Sequence, residues 1–274
     1  MRGGDGRDWP WWSVTKLAIA ACALRLAAKG VMDLDAPLDE QAYSLRDLLA
    51  HRAGVPCYAA LPGYHAAVAD DRSPWSVAEV LARTGDGVPV TPPGQRWAYS
   101  NIGYLLVRLR LQDAAGVGLS TLLRSEILSP VGAKAAFLAE GRCPRPHLPG
   151  LAGYDYGWVY HGCLMGPPGD AARMVAGILD GTLLPPDALR ALRRLTPLGG
   201  ALPGRPWQTA NYGLGLMAGE ASGLGPVEGH SGGGPFSTCA VYRGPSGQVA
   251  AAFATTRSEA APEWAAVRAL RHLT

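Results

Sequence analysis

This 274-residue chain has little lysine, since Lys16, Lys29 and Lys134 are its only three. The other basic residues are arginines scattered along the chain, and the net charge is only +3. A nucleic-acid or membrane-surface role that depends on a basic patch is therefore disfavoured. Apolar runs are also short: none reaches the roughly 18–20 residues that a membrane span requires.

The chain also has few cysteines. The chain has five cysteines, an odd number, with wide spacing and no CxxC pair. This pattern predicts free thiols rather than a disulfide framework. The five are Cys22, Cys57, Cys143, Cys163 and Cys239. The six histidines form no HExxH motif and no cluster with cysteine, so we expect no metal and no organic cofactor.

We expect no cleavable leader in the N-terminal part, because the apolar run from 17 to 28 is interrupted by Arg25 and no small-x-small cleavage site stands out. We therefore expect a cytoplasmic protein. Hydrophobic residues make up 48% of the chain and charged residues 17%. That composition is sufficient to bury a sizeable core in one large domain or two small lobes.

Apolar periodicity predicts a mostly helical first part of the chain. Helices are expected at 13–29, after a capping Ser44, at 74–84, from 102 to about 116, and at 118–129, 169–181 and 186–195. Beyond about residue 210 the sequence is β-prone, with short runs at 212–219, 237–243 and 248–256. The last two runs are joined by a Gly-Pro-Ser-Gly turn, and a final helix is expected at 262–273, with Pro262 at its first position.

One of the three lysines stands on an apolar helix, three residues after a serine, so Ser13 and Lys16 share one face. Near a helix start, unpaired N–H groups and the positive end of the helix dipole can stabilise an oxyanion beside Ser13. The same dipole, and burial among Trp11, Trp12 and Leu17, should lower the pKa of Lys16. A neutral amine beside a hydroxyl is a general base beside a nucleophile.

A purely structural alternative exists for this pair: Ser13 caps the helix and Lys16 extends its ammonium to solvent. With 13 serines and three lysines in the chain, about 0.14 S-x-x-K matches are expected by chance. The motif alone is therefore suggestive and needs support from other segments.

Tyr99-Ser100-Asn101 form a second candidate motif, in a loop before a helix. In an extended stretch, Tyr99 and Asn101 project to the same side. Tyrosine can transfer a proton, and an asparagine amide can orient a carbonyl or amide group. The alternative is that Asn101 caps the helix while Tyr99 packs in the core.

The third candidate is "GHSGGGPFSTCAVYR" (229–243), in which His230 leads a run of glycines into a predicted strand. Glycine lets another backbone or a ligand approach closely, which leaves strand N–H groups free to bind an acyl oxygen. The alternative is a flexible turn in which His230 has no chemical role.

In this order, S-x-x-K, Y-x-N and H-x-G resemble the serine β-lactamase and penicillin-binding-protein superfamily. The most similar branch is that of class C β-lactamases, DD-peptidases and family VIII-type esterases. The segments "YSLRDLLAHRAGV", "PPGQRWAYSNIGYLLV", "SEILSPVGA" and "NYGLGLMAGE" extend the resemblance over nearly the whole chain. It implies an α/β (α+β) fold in which helices flank an antiparallel sheet and a mostly helical lobe faces it across the active site.

The resemblance also implies one catalytic domain over 1–274, with the helical lobe at about 13–200 and the β segment with its C-terminal helix at about 210–274. Family members usually carry some tens of residues before S-x-x-K, whereas twelve precede Ser13 here. A shortened N-terminus predicts a reduced sheet with an exposed edge. The oligomeric state stays open, and a homodimer that covers this edge is one state that light scattering would detect.

For the catalytic residues, the resemblance implies that Ser13 is the acyl-forming nucleophile, Lys16 its base and Tyr99 a second proton shuttle. It also implies four substrate-binding residues. Asn101 would hold the acyl side of the substrate, His230 would orient Tyr99 and the substrate, and the backbone N–H groups of Ser13 and Gly233, with Gly232 before it, would form the oxyanion hole.

From these features we expect a serine hydrolase that cleaves a small-molecule ester or amide through an acyl-enzyme on Ser13. Its type would be a carboxylesterase, a β-lactamase-like enzyme or a D-amino-acid peptidase. Two alternatives stay open: a member of the fold that binds or is acylated without turnover, and a transacylase that passes the acyl group to an alcohol or amine. His161 either lines the cleft or packs in the core.

Overall fold

A computed structural model of the protein describes residues 6–38, 41–142 and 153–273. It shows a mixed α/β fold with a large antiparallel sheet, a small sheet and flanking helices, so the predicted fold class is confirmed. No helix in the described part of the chain is both long and apolar enough to cross a bilayer. Cys22, Cys57, Cys163 and Cys239 are free thiols as predicted, and Cys143 lies outside the described residues.

Eight α-helices of the described residues lie before residue 195, and one follows the large sheet. They are α1 (Thr15–Ala28), α2 (Leu45–Leu49), α3 (Pro62–Ala69), α4 (Val77–Arg83), α5 (Asn101–Ala115), α6 (Leu119–Leu123), α7 (Pro168–Leu179), α8 (Pro186–Leu192) and α9 (Ala260–Arg271). Short 3₁₀ turns occur at Trp12–Val14, Tyr58–Ala60 and Tyr156–Trp158, and a π turn at Arg124–Leu128 extends α6.

Local sequence explains several helix ends. The predicted cap Ser44 forms a capping box with Asp47 at the start of α2. The helix α5 ends at Gly116, whose φ of +66° suits glycine. Two details of the prediction were wrong: α3 was not predicted, and Pro262 is the third residue of α9 rather than the first. Proline is still tolerated there, because the first turn of a helix has no intrahelical acceptor for its N–H.

The strands form two antiparallel sheets. The small sheet has the order β1-β3-β2, with β1 (Trp9–Pro10), β2 (Phe137–Ala139) and β3 (Cys163–Gly166). The large sheet has six strands in sequence order, β4 (Thr196–Gly199), β5 (Ala210–Tyr212), β6 (Met217–Ala221), β7 (Gly225–Gly233), β8 (Thr238–Arg243) and β9 (Val249–Ala254). Its edge strands are β4 and β9.

The predicted run at 212–219 was wrong as a single strand. It is divided between β5 and β6 by a turn, in which the Gly213 N–H donates to the Leu216 carbonyl and Gly215 has a φ of +66°. A Cβ on Gly213 would lie 2.2 Å from the Leu192 carbonyl oxygen. This close approach of α8 explains why glycine occupies the turn.

The helix α1 lies at the centre of the hydrophobic core. This helix is apolar on nearly all sides and is buried along almost its whole length. It packs against α5, α6, α7 and α8, while α7 and α9 cover the large sheet at β8 and β9. The turn before α1 lies against β7 and β8. The start of α1 is therefore held between the helical part and the large sheet.

Candidate active site

Ser13 lies in the 3₁₀ turn between β1 and α1, and hydrogen bonds on both sides fix this turn. The Trp11 N–H donates to the Leu164 carbonyl at 2.8 Å, and the Leu164 N–H donates to Thr15 Oγ1 at 2.9 Å. Trp12 has a φ of +44°, in a region that non-glycine residues rarely adopt. The chain therefore turns sharply directly before Ser13.

The structure brings the three predicted catalytic side chains together. Ser13 Oγ lies 2.7 Å from Tyr99 OH and 3.2 Å from Lys16 Nζ. Tyr99 comes from the loop before α5, far from the other two along the chain. Lys16 is fully buried, so the alternative of an ammonium group that reaches solvent is wrong.

The surroundings of this cluster favour neutral side chains. Burial lowers the pKa of Lys16 from 10.5 to about 7. No carboxylate among the described residues forms an ion pair with Lys16; the rings of Tyr99 and Tyr104 lie 5.0 and 5.5 Å from its Nζ. Burial also raises the pKa of Tyr99 above its usual 10. Near neutral pH the cluster thus contains an amine of which a large fraction is deprotonated, and a protonated phenol.

Glycines of β7 let the strand touch the nucleophile turn. A Cβ on Gly232 would lie 2.7 Å from Ser13 N and 2.9 Å from the Trp11 carbonyl oxygen, closer than any side chain permits. The Gly234 N–H donates to the Ser237 carbonyl, and Gly233 is opposite Thr238. Because paired groups alternate along an antiparallel ladder, the Gly233 N–H points away from β8.

The strand β6 reaches β7 only as far as Gly229, so it does not cover Gly233. The Gly233 N–H is therefore not paired with β6 or β8 in the described sheet. Ser13 and Gly233 line one cavity, and the predicted role of their backbone N–H groups in binding an oxygen of a ligand stays a prediction.

His230 is buried and lines one cavity together with Ser13 and Tyr99. Its Nδ1 donates to the Ser231 carbonyl, and its Nε2 lies 3.0 Å from the hydroxyl of Tyr212. Burial lowers the pKa of His230 to about 3, so the ring is neutral. The described hydrogen bonds of His230 thus lead to Tyr212, and the expected role toward Tyr99 stays a prediction.

Asn101 is the first residue of α5, and Ser100, rather than Asn101, caps this helix. The Asn101 Oδ1 is buried and has no hydrogen-bond partner among the described residues. Asn101 lines a cavity together with Ser13, Gly233 and His161. Its position fits the predicted contact with the acyl side of a substrate, which stays a prediction.

Two cavities meet at Ser13. The first, of about 560 Å³, is lined by Tyr99, His230, Ser231 and apolar residues of β4 to β6. The second, of about 620 Å³, is lined by Asn101, Gly233 and a group of aromatic residues. These aromatic residues are Trp12, Tyr58, Tyr64, Tyr154 and Phe236. A substrate with its carbonyl at Ser13 therefore has separate space for the two groups on either side of the reacting bond.

Two histidines at the site were not among the predicted site residues. His161 lies with its Nε2 3.1 Å from Lys16 Nζ, which favours the cleft alternative over plain packing. The His51 ring packs against Tyr99 at a centroid distance of 4.3 Å with the two rings inclined by 41°, and its Nδ1 accepts from the Ser100 N–H. The sequence raised His161 as one of two alternatives, whereas His51 carries no chemical motif of its own and was not singled out.

Comparison with known proteins gives consistent findings. The family model described as Beta-lactamase matches residues 9–274. A D-stereospecific amidohydrolase from Streptomyces sp. has a similar structure, with a TM-score of 0.79 and 22% identity over 97% of this chain and 86% of the other. D-amino acid amidase from Ochrobactrum anthropi SV3 gives a TM-score of 0.80 and 21% identity over 100% of this chain and 86% of that one.

Similarity to curated sequences is more partial. A penicillin-binding protein of Bacillus subtilis strain 168 is 25% identical over 160 residues, which cover 54% of this chain and 34% of that protein. The match thus spans about a third of the length of the curated relatives.

Proposed function

This chain belongs to the Beta-lactamase family, and from that premise we propose that it is a serine hydrolase that cleaves an ester or amide through an acyl-enzyme on Ser13. One observation carries the proposal: Ser13 Oγ lies within hydrogen-bonding distance of both Lys16 Nζ and Tyr99 OH. A nucleophile beside a base and a second proton carrier is the arrangement that acyl transfer requires.

In the acylation step, Ser13 Oγ bonds to the substrate carbonyl carbon while its proton moves to the neutral amine of Lys16. The carbonyl oxygen becomes an oxyanion, which the N–H groups of Ser13 and Gly233 stabilise. Tyr99 starts as a protonated phenol and gives its proton to the leaving amine or alcohol as the bond to the carbonyl carbon breaks. The proton on Lys16 then returns to the Tyr99 oxygen through the Ser13 oxygen or water.

In the deacylation step, water attacks the acyl carbon and loses a proton to the neutral amine of Lys16. The bond to Ser13 Oγ breaks, and the proton returns to that oxygen. Acylation and deacylation thus use the same cluster of side chains, so no further catalytic group is required.

The cavities suggest which substrates to offer first. The second cavity has aromatic walls and lies on the Asn101 side of Ser13, so we assign the acyl group to it and the leaving group to the first cavity. Two structural neighbours are named for action on D-amino acid amides or D-stereospecific amides. We therefore include amides and esters of bulky D- and L-amino acids in the test panel, beside simple esters and a cephalosporin.

The experiment is intact-mass analysis of the protein after exposure to a fluorophosphonate probe and to this panel. We expect one adduct on Ser13 in the wild type and none on Ser13→Ala. A Ser13→Ala variant that is labelled as strongly as the wild type would contradict the proposal.

Steady-state release of product distinguishes the alternatives. Acylation of Ser13 without turnover would indicate the non-catalytic member of the fold, and product that forms only with an added alcohol or amine would indicate a transacylase. Sustained hydrolysis that depends on Ser13 supports the hydrolase.

A further inference from the structure

The contact between Lys16 and His161 is not used in the chemistry above. Lys16 Nζ lies 3.2 Å from Ser13 Oγ and 3.1 Å from His161 Nε2, so the amine is held between two partners. Lys16 has no exposed surface and His161 is only 3% exposed. Bulk water therefore does not compete for the Lys16–His161 contact.

The strand that fixes Ser13 also fixes His161. Gly162, with a φ of +95°, follows His161 and leads directly into β3. Within β3, Leu164 bonds the backbone of Trp11 and the hydroxyl of Thr15, on either side of Ser13. A Cβ on Gly162 would lie 2.9 Å from a methyl carbon of Leu119, so this turn is closely packed. The imidazole and the catalytic pair are thus parts of one rigid unit.

The charge state of the pair follows from its burial. Burial lowers the pKa of Lys16 to about 7, and burial together with the nearby Lys16 lowers the pKa of His161 well below its usual 6.5. Near neutral pH the pair therefore carries at most one positive charge, and it resides on Lys16. The other titratable groups that act on the pair are Cys57 and Cys163 on Lys16, and Arg108, His230 and His51 on His161.

A neutral amine has two hydrogens and one lone pair, and these must be shared between Ser13 and His161. Lys16 can take the Ser13 proton only if its lone pair faces Ser13 Oγ. A hydrogen of the amine then faces His161, whose Nε2 must be bare and whose ring proton must reside on Nδ1. This Nδ1 is buried and has no hydrogen-bond partner among the described residues. In the other tautomer, the Nε2–H would occupy the lone pair that the reaction needs.

We propose that His161 is the positioning residue for Lys16. Its Nε2 accepts an N–H of the amine, directs the lone pair of the amine at Ser13 Oγ, and stabilises the ammonium that forms when Ser13 loses its proton. His161 neither gains nor loses a proton in this step, because the proton moves only from Ser13 Oγ to Lys16 Nζ. The inference rests on the role of Lys16 in the proposed function.

The test compares His161→Gln with His161→Met. Both side chains have similar length and volume, but only the Gln amide oxygen can accept from Lys16. We expect the Met variant to acylate Ser13 about 10–100-fold more slowly, the range expected for a lost hydrogen bond to a charged group. The Gln variant should keep most of the wild-type rate, and KM should change little in both. His272→Gln, at an exposed histidine remote from the site, is the control.

A second measurement does not depend on activity. The chain has only three lysines, so ¹³C-lysine NMR can follow Lys16 directly, with Lys29 and Lys134 as internal references. Loss of an acceptor destabilises the ammonium, so the Met variant should lower the pKa of Lys16 by about one. The Gln variant should keep the wild-type value. The acid side of the pH–rate profile should move to lower pH in the Met variant alone.

Equal acylation rates and equal Lys16 pKa values in the Gln and Met variants would overturn the inference. A Gln variant as slow as the Met variant would also overturn it. If the Met variant does not fold, as judged by thermal unfolding, His161→Leu replaces it. If the wild type shows no acylation that depends on Ser13, the proposed function fails, and the NMR comparison still tests the contact.

Discussion

Lys16 and Glu263 are both ionisable residues that are fully buried, but they differ in whether a group of opposite charge contacts them. The Glu263 carboxylate accepts two hydrogen bonds from Arg205, at 2.6 and 2.7 Å, one from Trp207 Nε1 at 3.1 Å and one from the Tyr242 hydroxyl at 2.6 Å. Lys16 has no acidic partner among the described residues; its neighbours are a hydroxyl, a neutral imidazole and two aromatic rings.

This contrast shows how a buried ionisable residue that stabilises the fold can be distinguished from one that serves a reaction. A buried charge with a full set of partners holds elements together, and Glu263 joins α9 to the sheet in this way. A buried charge without a counterion is costly and is lost by deprotonation instead. The cost at Lys16 has no structural benefit in the described contacts, so it points to a reaction that needs a free amine.

The largest expected effect comes from Lys16→Met, which keeps the length of the side chain and removes the amine. We expect acylation of Ser13 to slow by about 10²–10⁴-fold, because the general base is lost. We also expect the variant to be more stable than the wild type by several kcal/mol at pH 7, since burial of the lysine no longer opposes folding. Rapid-quench kinetics and urea unfolding measure the two effects.

The stability difference should depend on pH in a specific window. Unfolded Lys16 stays protonated up to its ordinary pKa of 10.5, whereas the folded protein loses this proton at about 7. Between these values the unfolded state holds the additional proton, so wild-type stability rises with pH relative to the variant. The gap should be constant below about pH 7 and absent above about 10.5. A gap that does not change with pH would show that the comparison is wrong.

The next largest effect should come from Glu263→Gln. This change keeps the shape but removes the buried negative charge that accepts from Arg205, Trp207 and Tyr242, whereas Arg205, whose side chain is 25% exposed, keeps Glu259 at 3.1 Å. We therefore expect a loss of about 1.5–3 kcal/mol of stability. Glu263 contacts none of Ser13, Lys16 and Tyr99, so the folded variant should still be labelled at Ser13. Urea unfolding and the fluorophosphonate probe measure these effects. A variant with wild-type stability would remove the structural half of the comparison.

The smallest effect should come from Glu79→Gln at an exposed pair. The Arg83–Glu79 contact of 2.7 Å is formed by side chains that are 48% and 42% exposed. Water and salt screen such a pair, so we expect a change below about 0.5 kcal/mol. Urea unfolding at low and high salt is the measurement, with the wild type as reference. A loss as large as that of Glu263→Gln would mean that burial does not decide the strength of these charges.

The central helix and the catalytic cluster could be predicted because their signals are local or ordered along the chain. The apolar run of α1, the spacing of Ser13 and Lys16, and the position of Tyr99 before α5 all appear in the sequence. The family match confirms the resemblance that these motifs indicated. The roles of Ser13, Lys16 and Tyr99 in catalysis, and those of the substrate-binding residues, remain predictions.

Other elements depend on contacts between distant segments. The strand β7 was not predicted, because its glycines have low β propensity and are held in place by pairing with β6 and β8. The contact of His51 with Tyr99 and that of His161 with Lys16 arise from the packing of segments that are far apart in the chain. No pattern in a single sequence records such neighbours.

Trp12 combines an unfavourable backbone with a useful side chain. Its φ of +44° would suit glycine, yet its indole packs against Tyr154 and Phe236, and its Nε1 donates to Ser237 Oγ at 3.0 Å. Replacement by glycine would relax the main chain and at the same time open the wall of the acyl cavity. A substitution at this residue, directly before the nucleophile, would therefore relieve backbone strain only by changing the shape of the acyl cavity.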